Sequence, residues 1–402
     1  MSGWIEWFNP DFWAYLCLTV VLIAWRNGRL AREERRMFHV RLHGPVVLTV
    51  RQLLEGVAAG LILSGLLLGL GVVLTPDAFA LLWGFSLLLF LFQRRWQPLS
   101  YTIGLLWLLG LVLSGPFWQG ADLWWRDALA GIHWPAWLAL LGLLQWGEAW
   151  LLRRFRRRQA YPLVLAGRRG LPVGGYRLEG WWPLPLLVWS PGGEFAGWGP
   201  EVPWWPLLAD GSTGWTMVPL PLYAGFSCVS RTVLPDEQAA WWETRRWLGG
   251  LLALALAALG QWWPPLAVVS VGLFLLWEWG VQAAWFWREQ NGERRFLPDK
   301  RGLTVLAVIP GSPAAAMGIE PGEVVVKVNG QPVSSERELY HAVQKNPAFC
   351  KLEVLDHRGE VRFVQRAVYE GEHHQLGIIA VPTKAIEEEQ AYRVSTGLEK
   401  EG

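Results

Sequence analysis

His39 and His43 stand four residues apart in HVRLH, the spacing that brings two imidazoles to one face of a helix. A metallopeptidase built on that spacing also needs a glutamate base between the histidines, as in HExxH, and this segment has none. The surrounding residues are rich in arginine, so a charged surface helix is the expected setting. Ser64 in ILSGL and Ser114 in VLSGP each precede a glycine, but a nucleophilic serine needs a base in reach. No histidine falls inside an apolar run, and His133 stands at the edge of one. Gly60, Ser64, Gly65, Gly69 and Gly71 therefore predict a face for close helix packing. Glu148 and Glu278 are carboxylates within apolar runs, as a transporter or proton relay would require. Each is flanked by tryptophan and placed toward an inner helix end, where its charge can reach the interface. His373-His374 reads as a solvated pair rather than a metal site. Cys17, Cys228 and Cys350 are too far apart for a CxxC site or a disulfide framework. No catalytic residue, metal or cofactor is expected.

The composition says where these residues sit. Of 402 residues, 52% are hydrophobic and 17% charged, against about 25% charged in soluble domains. The 30 tryptophans cluster beside the apolar runs, as expected of rings that favour the headgroup level. From Leu297 onward there are 12 Lys and Arg against 15 Asp and Glu, and every lysine of the chain lies there. The preceding part is basic, so two regimes are joined. Met1–Asp11 lacks a basic n-region, and no cleavable signal peptide is expected.

A membrane helix takes roughly 20 apolar residues. Seven candidates follow: Phe12–Trp25, Leu54–Thr75, Ala80–Phe92, Leu99–Gly115, His133–Leu152, Trp247–Trp263 and Pro265–Trp287. Arginine is concentrated in RNGRLAREERRMFHVRLHG, QRRWQ, RRFRRR and WREQNGERR, and nearly absent from the alternate loops. The positive-inside rule then puts the N-terminus outside and the C-terminus in the cytoplasm. The predicted division is a five-helix transmembrane region (1–152), a Gly/Pro/Trp-rich cytoplasmic region against the membrane (153–246), a two-helix hairpin with a basic linker (247–296), a folded module (297–383) and an acidic flexible tail (384–402). In 153–246 the apolar pieces PLPLLVW and VPLPLYAGF are too short or too broken by proline for a confident helical span. A re-entrant or helical pair is the other reading, and either leaves the parity of the spans unchanged.

The module has the grammar of a small α+β fold. LTVLAVI and EVVVKV read as strands. Between them Ser312 caps a short helix that Gly318 ends, and Asn329-Gly330 makes a tight hairpin. Ser335 with Glu338 forms a capping box for ERELYHAVQKN, and KLEVLDHRGEVRFVQRA turns at His357-Arg358-Gly359. The string GSPAAAMGIEPGEVVVKVNG resembles a bacterial PDZ domain over roughly 301–381, with Glu323 where most relatives have Asp. The family's carboxylate-binding φ-Gly-φ loop normally precedes this string, and here the candidate, Leu376-Gly377-Ile378, comes last. The resemblance thus implies a circularly permuted PDZ domain. A peptide would add as an extra strand beside Leu376, Gly377, Ile378 and Ile379. The helix residues Leu339, Ala342 and Val343 would form the opposite wall.

WRNGRLAREERRMFH, QPLSYTIGLL and FCKLEVLDHRGEVRFVQRAVYEGEHHQLGI together resemble the MinJ family of polytopic PDZ proteins, which act in bacterial division-site selection. That resemblance implies a non-catalytic adaptor at septa and poles, linking a DivIVA-like polar protein to a MinD-like ATPase and other division proteins. The alternative is a regulatory subunit or relative of a PDZ-containing membrane protease. Membrane lipid is an expected partner and nucleic acid is not; self-association is left open.

Overall fold

The computed structural model describes residues 10–38, 44–92, 98–113, 124–155, 160–166, 172–192, 205–209, 214–346, 349–367 and 376–382. The acidic tail, His39, His43, Ser114, His373 and His374 lie outside them.

Each of the seven apolar candidates is helical over most of its described length, although Leu54–Thr75 leaves the helix at Gly71. The helices are α1 (Pro10–Phe38), α2 (Pro45–Leu70), α3 (Phe79–Phe92), α4 (Pro98–Leu113), a short α5 (Trp124–Ala130), α6 (Trp134–Phe155), α7 (Pro235–Trp262) and α8 (Pro264–Asn291). Two of them, α2 and α8, are long and apolar enough to cross a membrane by length and composition, and α3 and α4 contain shorter apolar helices. The basic segment after Trp25 continues α1 rather than forming a loop. Its Ala, Arg, Leu and Glu are strong helix formers, and Arg29 pairs with Glu33 one turn on at 3.1 Å. Helix α2 stops at Gly71, whose φ of +70° forms the left-handed cap. Helices α6 and α7 approach closely through Gly142 and Gly250: a Cβ on Gly142 would stand 2.9 Å from the Gly250 carbonyl oxygen.

The interval 153–246 departs from expectation. It is not a separate region lying on the bundle. Its strands β1 (Ala160–Ala166), β2 (Pro172–Pro191) and β3 (Trp215–Ser230) form an antiparallel sheet in that order. Trp182, Leu184, Leu186, Val188, Leu220 and Leu222 share one continuous core with α2, α3, α4, α6, α7 and α8. The apolar pieces were too short for helices, but a strand rises about 3.3 Å per residue against 1.5 Å for a helix. From Trp182 to Trp189 the strand climbs about 23 Å. Over the same course α2 climbs about 22 Å from Glu55 to Leu70. The two run side by side in the same direction. Trp182 Nε1 donates to Glu55 at 3.2 Å, and the Leu74 amide donates to the Trp189 carbonyl at 2.8 Å.

The small residues of α2 were expected to pack on another helix, and the structure sets Gly60 and Ser64 against this strand instead, with Gly56 added to them. Gly56 and Gly60 lie against Pro183 and Pro185, where a Cβ would meet the proline carbonyl oxygens at 2.3 and 2.9 Å. Gly65 and Gly69 face open space. The tryptophans divide likewise: Trp137, Trp181, Trp182 and Trp242 are fully buried, whereas Trp262, Trp263, Trp279 and Trp287 are exposed.

The C-terminal module has β4 (Leu303–Val308), α9 (Pro313–Ala316), β5 (Val324–Val328), β6 (Gln331–Pro332), α10 (Glu336–Gln344), β7 (Phe349–Leu355), β8 (Val361–Ala367) and β9 (Ile378–Ala380). The sheet order is β8-β7-β5-β4-β9, with β6 on β5. Its local signals match the sequence. Ser312 accepts from the Ala315 amide and Ser335 from the Glu338 amide, and Asn329 and Gly330 take φ of +50° and +80°. The last strand closes the sheet beside the first, in antiparallel register from Val305↔Ala380 to Val308↔Ile378.

The module is seated on the end of the β1–β3 sheet. Phe296, Leu306, Ala307, Ile379 and Val381 pack with Tyr176. The Tyr176 hydroxyl donates to the Leu306 carbonyl, and the Gly174 amide donates to the Phe296 carbonyl at 2.9 Å.

Candidate functional site

Strand β9, the two residues that lead into it and helix α10 carry the residues that the sequence nominated. Leu376, Ile378, Leu339, Ala342 and Val343 are brought together, all buried in one cluster with Val305, Val325 and Leu352. Ile379 is not with them. Side chains alternate along a strand, so with Ile378 turned inward Ile379 faces the opposite way, onto Phe296 and Tyr176. Its side chain therefore forms no part of a wall shared with α10. That corrects its place among the groove residues.

Gly377 has φ +84°, and a Cβ there would lie 2.2 Å from the Ser312 Cβ. Only glycine fits, by backbone conformation and by space. The Leu376 carbonyl accepts from the Ala314 amide at 3.0 Å, and the Gly377 carbonyl accepts from the Ile309 amide at 2.8 Å. A trans peptide unit points its N–H opposite to its C=O. Both carbonyls face the loop between Ile309 and Ala314, so the Gly377 and Ile378 amides are directed away from it. Two successive amides set this way can receive a carboxylate. Strand β9 is the end strand of its sheet among the described residues, which leaves an edge to which a peptide strand can add.

The supporting turn relies on Glu323, the residue that stands where most PDZ relatives have Asp. Glu323 is buried, accepts from the Glu320 amide, and holds Arg362 through both carboxylate oxygens at 2.7 and 2.8 Å. This ties the β4–β5 connection to β8. Nothing in the local spacing announces the pair, because 39 residues separate its members. Cys350 lies in the same module, fully buried, and burial pushes its thiol up to about 11.

The other candidates have structural partners. The Ser64 hydroxyl donates to the Gly60 carbonyl at 2.6 Å and accepts from the Leu187 amide at 2.9 Å, so it holds strand β2. Glu278 is not at a helix end reaching for water. It is buried midway along α8 and paired with Arg246 of α7 at 3.0 Å. Gln145 of α6 donates to Glu278 and accepts from Arg246, and Glu148 approaches Arg246 at 3.5 Å. Arg246 was hidden in the sequence because, next to Arg245, it reads as the boundary of a span. Among the described residues no three His, Cys, Asp or Glu side chains gather as a metal site would need.

Residues 304–355 match the PDZ domain family. The chain is 30% identical to the cell division topological determinant MinJ of Bacillus subtilis (strain 168) over 382 residues, covering 94% of each protein. It is 29% identical to the probable cell division topological determinant MinJ of Lacticaseibacillus paracasei, over 92% of this chain and 95% of that protein. A probable periplasmic serine endoprotease DegP-like of Chlamydia trachomatis is 38% identical, but over only 66 residues, 16% of this chain. The protease likeness is thus confined to the PDZ part, while the likeness to the topological determinants runs end to end. The chain belongs to the MinJ family of cell division topological determinants.

Proposed function

We propose that this protein is a non-catalytic membrane scaffold in division-site selection. Seven helical spans anchor it with the N-terminus outside, and its PDZ domain recruits partners in the cytoplasm. The observation that carries this reading is the end strand β9 with its glycine-led amides, in a chain that matches MinJ along nearly its whole length. A partner segment adds along β9, its carboxylate meeting the Gly377 and Ile378 amides. Leu376, Ile378, Leu339, Ala342 and Val343 line the apolar side. The PDZ domain is circularly permuted, with its ligand-accepting strand supplied last. The partners are a DivIVA-like polar protein and a MinD-like ATPase, linked so that septation is kept from the poles. Confinement to the membrane raises the effective concentration of linked sites.

The test is localisation of a full-length fluorescent fusion in dividing cells. The parent concentrates at septa and poles. Gly377→Glu stays in the membrane but loses that enrichment, because its side chain cannot be placed beside Ser312. A uniform membrane distribution of the parent overturns the scaffold reading. Septal enrichment that survives Gly377→Glu removes the β9 edge as the recruiting site.

A further inference from the structure

Strands β2 and β3 lie deep among the helices, yet a sheet edge inside a bilayer is tolerated only if its polar backbone is satisfied or absent. The register pairs Pro183 with Tyr223, Pro185 with Pro221 and Leu187 with Pro219. In an antiparallel ladder alternate residues point their N–H and C=O outward. The Leu187 amide bonds to Ser64, and the Pro221 carbonyl accepts from Trp83 Nε1 at 3.0 Å, both outside the hairpin. The odd-numbered positions are therefore the outward ones. Of the six odd positions in those three pairs, four are proline and have no N–H to leave unpaired. A fifth, Leu187, gives its N–H to Ser64. The doubled motif PLPL in both strands is thus an edge treatment.

Charge points the same way. The stretch 178–230 contains no Lys or Arg, whereas Arg177 and Arg231 bracket it. At that bracketing end Arg177 bonds Glu33 at 3.0 Å, Glu179 pairs with Arg26, and Tyr176 holds the PDZ domain. At the other end Trp189 bonds Leu68 and Leu74, and the Ala209 carbonyl accepts from Gln261 near the far end of α7 at 3.2 Å.

We infer that β2 and β3 cross the bilayer as a proline-edged β-hairpin, so that the chain crosses nine times and the segment joining the two strands faces outside. This rests on the cytoplasmic PDZ domain proposed above. The hairpin turns the middle region into a strut: one continuous strand is bonded to the outer end of α2 and, at its inner end, to the first strand of the PDZ domain. Its length suits the task, since a membrane strand takes about 9–11 residues.

Cysteine labelling decides it. In full-length protein carrying Cys17→Ala, Cys228→Ala and Cys350→Ala, single cysteines are placed by Ala209→Cys and, on the exposed face of the PDZ domain, by Val361→Cys. Intact protoplasts are treated with a membrane-impermeant maleimide. Ala209→Cys is expected to react in intact protoplasts, and Val361→Cys only after permeabilisation. Reaction of Ala209→Cys only after permeabilisation overturns the crossing. If it reacts in neither state, a protease site inserted after Ala209 replaces it. Cleavage by protease added outside supports the crossing, and its absence overturns it. Reaction of Val361→Cys in intact protoplasts sinks the cytoplasmic PDZ domain instead, a failure distinguishable from that of the hairpin.

Discussion

Replacing Phe296 with alanine should loosen the PDZ domain from the β1–β3 sheet without unfolding either. The ring is fully buried, meets Tyr176 edge-on with centroids 5.3 Å apart, and shares its cluster with residues of β4 and β9. Truncating a buried phenylalanine costs about 3–5 kcal/mol. The seat is a small cluster rather than a full core, so the lower end applies. About 3 kcal/mol is a shift of more than a hundredfold in the docking equilibrium. Tyr176→Phe keeps the ring and removes one hydrogen bond, worth about 0.5–1.5 kcal/mol, or roughly two- to thirteenfold. The assay is trypsin release of the domain from membrane vesicles that expose it, cutting at Arg294, Arg295, Lys300 or Arg301. When opening is fast, the release rate follows the undocked population. The expected order is Phe296→Ala far above Tyr176→Phe, with Tyr176→Phe modestly above the parent. Phe349→Ala, at a partly exposed site outside this seat, serves as the control. A Phe296→Ala rate within about twofold of the parent would refute the reasoning, since a loss of about 3 kcal/mol could then not be at stake.

Two further outcomes concern the PDZ domain itself. Arg362→Met strands the buried Glu323 carboxylate; because Arg362 is 40% exposed, the loss is discounted to about 1–3 kcal/mol. Alkylation of Cys350, in protein with Cys17→Ala and Cys228→Ala, should then accelerate about five- to 150-fold, and less when Glu323→Gln is added. Hydrogen bonds donated by the Glu360 and Arg358 amides hold the Asp356 carboxyl below its usual range, and those from the Ser334 amide and hydroxyl do the same for Glu338. Folded values below unfolded ones mean stability present above about pH 4 and lost as pH falls through the folded values. Hydrogen-exchange protection of the β7–β8 turn should drop on acidification below that point, and Asp356→Asn should abolish the drop.

The PDZ part was legible in the sequence because its signals are local. Ser312, Ser335, Asn329-Gly330 and Gly377 each fix a backbone shape within a few residues, and the structure has those shapes where the residues stand. The helices were legible for the same reason, through runs of apolar residues. What escaped depends on partners far along the chain. PLPLLVW looked like broken helix because its edge treatment has meaning only once α2 lies beside it. Ile379 looked like its neighbour Ile378 because a three-residue strand does not say what waits on its second face. The pairings of Arg246 and Arg362 have no local signal, since their carboxylates come from other elements.

The Arg246–Glu278–Gln145 cluster bears on how the protein is made. On the membrane reading, α7 leaving the ribosome alone would carry an unmatched guanidinium at the inner edge of its span, at a cost below the about 2.5–3.5 kcal/mol of a helix centre. Glu278 of α8 follows in synthesis only after the short turn at Trp263. Each helix thus supplies the countercharge that the other lacks. The two are expected to be integrated as one unit, with Gln145 of the already inserted α6 waiting as their docking point. The late pair would then close the bundle over a hairpin that is already in its slot.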